Sequence, residues 1–294
     1  MNFNNNGGQK MGIKIVTDST SYIPKELIEK YDITVVSLGV IMEGQGHKEV
    51  EINNDDFYKK LEQMDSIPTS SQPTIEDLFN AFDKIMEGGN DILGIFISSD
   101  MSGTYSTCNQ VIRDMIEEKY PERKLEVMDS QSNCMQMGYA VLEAAKAAKV
   151  GKPMEEVMSE VKDVMSKSRF LFVPDTLEYL KKGGRIGGAA ALFGGLLQIR
   201  PILTVENGNT EVFDKVRTKS KAILKMINKA DLDFKEKGYG ELIVHHINCE
   251  EEGRALAAKV KEVLNMEPAI QCIGPVIGCH VGPKAVGIAY YTER

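Results

Sequence analysis

The sequence has no C-x-x-C pair, no phosphate-binding glycine loop, no bilayer-length apolar run and no surplus of positive charge. Each gap removes a class of function. The formal net charge is −8 over 294 residues, which argues against bulk affinity for nucleic acid or anionic membrane. The five cysteines (Cys108, Cys134, Cys249, Cys272, Cys279) are odd in number, and each falls in or beside an apolar segment. Buried reduced thiols are the simplest reading, and they imply a cytosolic setting. The four histidines comprise the pair His245-His246 plus His47 and His280. Neighbours point to opposite faces of a strand, so the pair cannot chelate one ion and no metal is expected. G-x-x-x-x-G-K-[ST] is absent, and "GGRIGG" (Gly183 to Gly188) fits G-x-G-x-x-G in neither spacing nor context, so no nucleotide cofactor is expected. The uncharged, Gly-rich stretch "IGGAAALFGGLLQI" (Ile186 to Ile199) is shorter than the about 18 to 20 apolar residues that span a bilayer. The opening "MNFNNNGGQK" lacks the apolar centre of a signal peptide. Residues 1–12 are expected to be a disordered or vector-derived N-terminus, with Met11 a fitting functional start.

What the chain does have is strand and helix in alternation. Hydrophobic residues make up 42% and charged residues 27%, the balance of a globular protein. "IKIVTDST" (Ile13 to Thr20), "ITVVSLGVIM" (Ile33 to Met42), "DILGIFISS" (Asp91 to Ser99) and "KLEVMDS" read as strands. Between them, Ile75, Leu78, Phe79, Phe82, Ile85 and Met86 fall on one face of a helix, closed by Gly88-Gly89. A helix beginning near Ser102 turns Tyr105, Cys108, Val111, Ile112, Met115 and Ile116 inward. This is the pattern of an open α/β/α sheet, assigned to residues 13–165. After Gly151-Lys152-Pro153 the character changes. "PILTVENGNTEVFDKVR" predicts a hairpin turning at Asn207-Gly208, and "ELIVHHI", "AIQCIGPVI" and "AVGIAYYT" add strands. Residues 166–294 are expected to form an α+β domain with a mixed or antiparallel sheet.

Ligands of open α/β sheets bind beyond the carboxyl ends of the strands. Three hydroxyl-rich loops are expected there, each opening a helix: "TDSTS" (Thr17 to Ser21), "TSSQP" (Thr69 to Pro73) and "SSDMSGTY" (Ser98 to Tyr105). Such hydroxyls either cap the helix or bind an anion at its N-terminus. Gly103 lets the backbone approach another group closely. No lysine lies inside these loops, so a single negative charge such as a carboxylate suits them better than a triphosphate. "GCHVGPK" (Gly278 to Lys284) places His280 in a tight turn between two strands, and "KKGGRI" sets Arg185 beyond a helix end.

"TDSTS", "SSQP" ahead of a helix, "SGTY", "DTLEYLKKGGRIGG", "PIL" before a hairpin and "IGCHVGP" occur in the order seen in the DegV family, which this sequence resembles from about Ile13 to Thr292. The resemblance implies an N-terminal α/β/α domain, a C-terminal α/β domain and a long-chain fatty acid held between them. It implies that Ser70 and Ser102 bind the carboxylate, with Gly103 and Thr104 beside them and His280 and Arg185 near the mouth. Thr69 or Ser71 would then cap the helix or position its loop. It further implies a cytosolic carrier, not itself an enzyme, with only transient membrane contact, that serves a separate fatty acid kinase. The family usually has Thr where Ser70 stands and Gly where Lys284 stands. The enzyme alternative is a serine hydrolase acting on acyl esters through Ser102, His280 and Asp18. Its elbow would need glycine two residues before Ser102, where Asp100 stands.

Overall fold

The computed structural model describes residues 12–61, 63–64, 66–192 and 199–294; the expectation for the first residues, and part of the Ile186 to Ile199 stretch, lie outside these. Strand β1 (Ile13–Asp18) opens the chain and leads through a short turn to α1 (Lys25–Tyr31), entered at Pro24 and closed by left-handed Asp32. The single strand expected over 33–42 divides into β2 (Thr34–Val36) and β3 (Gly39–Met42), which join different sheets. The break has a local cause. Leu38 gives its N–H to Ser19 Oγ and its carbonyl to the Glu49 N–H, so its backbone is withdrawn from any ladder.

Strand β3 turns at Glu43-Gly44 into β4 (Gln45–Lys48), and α2 (Asn54–Leu61) buries Phe57, Tyr58 and Leu61. Thr69–Ser71, expected as a helix-opening loop, is strand β5 instead, antiparallel to β3 with Val40 opposite Ser70. None of its hydroxyls caps the next helix. That helix, α3 (Ile75–Glu87), is capped by Thr74, whose Oγ1 accepts the Asp77 N–H at 3.0 Å. It buries Leu78, Phe82 and Met86 but leaves Ile75 exposed. After β6 (Asp91–Phe96) come α4 (Thr104–Thr107), a π-type turn over Cys108–Ile112, and α5 (Arg113–Lys119). Cys108, Ile112 and Ile116 point inward at four-residue spacing, whereas Val111 and Met115 face solvent, contrary to expectation. With β7 (Leu125–Asp129) the first sheet is complete: parallel, in the order β2-β1-β6-β7.

Helix α6 (Cys134–Lys149) is buried along most of its length because sheets flank it on two sides. Then follow α7 (Met154–Lys167), β8 (Ser168–Val173), α8 (Glu178–Lys182), and the hairpin β9 (Arg200–Glu206) and β10 (Asn209–Val216). Asn207 and Gly208 both have positive φ, 48° and 81°, as the tight turn requires. The chain continues through α9 (Lys219–Lys237), β11 (Tyr239–His246), α10 (Glu250–Leu264) and β12 (Ala269–Cys272). It ends with α11 (Pro275–Val281) and β13 (Val286–Thr292). The second sheet runs β10-β9-β8-β13-β11-β12 and is antiparallel except for the parallel pair β11-β12. The fold is thus α/β, a parallel sheet with helices followed by a mixed sheet.

The stretch "GPVIGCH", expected as strand and turn, is helix α11. Pro275 supplies a φ suited to the first helical position, and Gly274 precedes it as the cap residue. One hydrophobic core passes from Ile15 in β1 through α6 to Ala289 in β13, so the two sheets pack as one body around that helix. Among the described residues, no helix is long and apolar enough to cross a membrane.

Candidate functional site

Between the inner face of the second sheet and α11 lies a cavity of about 130 Å3. Its floor is mostly apolar, with Phe170 and Phe172 from β8, Val276 and Ile277 from α11, and Leu38 and Ile97 from the first half, interrupted by the buried polar residues Asn133, Thr210 and His245. Its mouth is polar: Ser70, Ser71 and Gln72 at β5, Ser102 and Gly103 after β6, Arg185 after α8, and His280 in the last turn of α11. Five of the six residues singled out from sequence therefore share one cavity. The sixth, Thr104, is fully buried behind the wall, where its Oγ1 meets Ser102 Oγ at 2.9 Å.

Local structure explains each placement. Alternation along β5 turns Ser70 toward α11, where Oγ and His280 Nε2 share a hydrogen bond at 2.7 Å. A Cβ at Gly183 would collide with His280 Nδ1, so glycine there makes room for the ring. That nitrogen is buried without a hydrogen bond of good geometry. Burial, then the charge of Arg185, lowers the His280 pKa to about 4, so the imidazole is neutral at neutral pH. Its place in a helix, not a turn between strands, fixes the direction of that ring. A Cβ at Gly103 would strike Gln72 Oε1, and the Gln72 amide donates to Thr107 Oγ1 at 2.9 Å. Gln72 thus ties β5 to the Ser102 loop, a role the sequence motif contained but did not reveal.

Arg185 donates from Nε and Nη2 to the Met101 carbonyl, at 3.0 and 2.9 Å, and from Nη1 to the Gly183 carbonyl at 2.8 Å. Carbonyls orient a guanidinium without neutralising it. Among the described residues no carboxylate forms an ion pair with it, so the mouth carries a net positive charge. Asp18 has another task. Its carboxylate accepts the Thr20 N–H at 2.9 Å and the Ile97 N–H at 2.8 Å, joining the ends of β1 and β6. Burial raises it to about 6 against those bonds.

Sequence reasoning passed over Glu49. It is buried and accepts from Ser19 Oγ, from the Tyr22 hydroxyl at 2.7 Å, and from the Val276 N–H at 2.9 Å. It therefore caps α11, the helix that carries His280 and much of the cavity wall. Nothing in "HKEVE" marks the middle acid as buried, because its partner lies 227 positions away.

The described residues thus form an α/β protein of three sheets, with a largely apolar cavity whose mouth holds hydroxyls and one guanidinium unpaired with any carboxylate, chemistry that suits an apolar molecule with an anionic head. The chain belongs to the DegV family: the family model described as "Uncharacterised protein, DegV family" matches residues 12–293. It is 53% identical to a DegV domain-containing protein of Clostridium acetobutylicum, over 97% of this chain and 99% of that one. It is 33% identical to Protein DegV of Bacillus subtilis, over 95% and 99% of the two chains. Among solved structures it is similar to a fatty acid binding DegV family protein from Thermus thermophilus (TM-score 0.86, 28% identity, 96% of this chain and 100% of that one). It is also similar to DegV, a fatty acid binding protein from Bacillus subtilis (0.85, 31%, 96% and 99%). A third is a stearic acid-binding protein from Eubacterium ventriosum (0.86, 26%, 96% and 98%).

Proposed function

We infer that this chain binds one long-chain fatty acid, with the carboxylate at the Ser70, Ser102 and Arg185 mouth and the tail on the apolar floor. The observation that carries the reading is the cavity itself, largely apolar inside, with Ser70, Ser102 and the unneutralised Arg185 gathered at its opening. Each buried methylene contributes about 0.8 kcal/mol, so a long saturated tail supplies on the order of 10 kcal/mol before ordering costs. The hydroxyls and Arg185 then choose the head group and its orientation. His280, being neutral, holds Ser70 in place and offers a hydrogen bond rather than a charge. In this reading, residues 13–165 form the carboxylate-binding domain and residues 166–294 complete the acyl pocket.

The same geometry supports a carrier that presents the carboxylate to a separate fatty acid kinase, in the cytosol and with only transient membrane contact. Phosphorylating a carboxylate adds negative charge at the mouth, where Arg185 stands ready to stabilise it. The Ser70–His280 pair favours a second reading, a hydrolase of acyl esters. Against it, Nδ1 of His280 meets no orienting carboxylate among the described residues, and Asp18 is engaged elsewhere. Arg185→Ala separates the two. In the carrier, affinity should fall only modestly because the tail supplies most of it, so that at saturating fatty acid and saturating kinase the pocket stays filled while acyl phosphate formation falls about tenfold or more. Equal rates for both proteins, or steady release of acid from an acyl ester by the wild type, would overturn the carrier reading.

A further inference from the structure

Deeper in the cavity the wall is not wholly apolar. Asn133, the N-cap residue of the 16-residue α6, lines it and is 6% exposed. Its amide nitrogen lies 3.1 Å from Met101 Sδ, and its Oδ1, sealed from water, has no hydrogen-bond partner. The neighbouring polar groups are already satisfied. His245 Nε2 accepts the Met135 N–H at 3.3 Å, which leaves Nδ1 to donate to the Gln271 carbonyl at 3.1 Å. His245, not the Asn133 side chain, therefore caps α6. A buried amide oxygen without a donor is costly, and the described residues supply none here.

We propose that Asn133 recognises a hydroxyl group on the acyl chain, so that the pocket prefers hydroxylated long-chain fatty acids to plain ones. The proposal rests on the fatty acid reading above. Met101 precedes Ser102 in the chain, and its side chain reaches the buried Asn133, so the amide stands within one residue's reach of the Ser102 loop in the same cavity. The hydroxyl accordingly falls in the carboxyl-proximal part of the tail, not at its methyl end. Met101 is unbranched and adaptable, so its side chain can shift when a hydroxyl reaches the Asn133 amide. A hydroxyl both donates and accepts, so it satisfies the amide in either rotation. A keto oxygen only accepts, and a double bond does neither. A plain chain leaves Oδ1 as it is and gains nothing there.

The test is competition binding to the delipidated full chain, using stearic acid and a series of monohydroxystearic acids substituted at successive carbons. One isomer, or two adjacent ones, should bind about tenfold tighter than stearic acid, as one newly paired buried group allows. Asn133→Leu, similar in size, should reverse that order, and a denaturation curve shows that the variant is folded. If every isomer binds the wild type more weakly than stearic acid does, or if Asn133→Leu keeps the wild-type preference, the hydroxyl site is refuted and the fatty acid reading stands. Failure of stearic acid and all isomers to bind would overturn both.

Discussion

Glu49→Ala should lose about 3 to 5 kcal/mol of stability, a large effect for a residue far from the cavity mouth in sequence. The substitution strands three buried donors: Ser19 Oγ, the Tyr22 hydroxyl and the Val276 N–H. Each costs about 1 to 3 kcal/mol when left unpaired, and water entering the gap recovers part of the sum. Tyr22 in turn accepts the Ile277 N–H at 3.4 Å, so both first N–H groups of α11 after Pro275 depend on this cluster. Burial raises the Glu49 pKa despite these bonds, with Asp18 adding to the rise. Glu49→Gln keeps an acceptor oxygen and should lose clearly less. Denaturant midpoints for the two variants check this, and an alanine variant within about 1 kcal/mol of wild type would show that α11 is held by packing alone.

Ile277→Trp should weaken long-chain fatty acid binding about a hundredfold or more. Ile277 sits on α11 with its side chain at the cavity wall, and the indole occupies space meant for the tail. Displacing four methylenes costs about 3 kcal/mol at 0.8 kcal/mol each, which exceeds a hundredfold in affinity. A short-chain acid has fewer methylenes to displace and should lose much less. Binding isotherms over a chain-length series give the comparison, with a denaturation curve to confirm that the variant folds. Unchanged affinity for the longest acids would move the tail out of this cavity.

The parts of the fold that the sequence made legible are those specified by local pattern. Apolar runs gave β1, β6 and β7, helical spacing gave α3, and Asn-Gly gave the β9–β10 hairpin. Strand β5 escaped because "TSS" is short and polar, and its pairing with β3 comes from a partner about thirty residues earlier. Helix α11 escaped because Gly278 in its middle lowers its intrinsic propensity. Its stability comes from Glu49 instead, and no local window contains both. Lys284 has φ 66°, a conformation that favours glycine, which is why the DegV pattern the sequence resembles has Gly there. The mouth residues were legible as motifs, whereas Thr104, Gln72, Glu49 and Asn133 take their roles from contacts that only the folded chain creates. Protonation was not legible either: His280 reads as a potential cation until its burial is known.

The central claim is that the cavity holds the tail of one fatty acid whose carboxylate lies at the mouth. Mass spectrometry of the organic extract of gently purified protein tests it most directly, because affinity of this kind retains the ligand through purification. Long-chain fatty acid is expected at near one per chain, with a rise in melting temperature when fatty acid is added back to delipidated protein. An extract without lipid, together with no thermal shift on adding fatty acid, would contradict it.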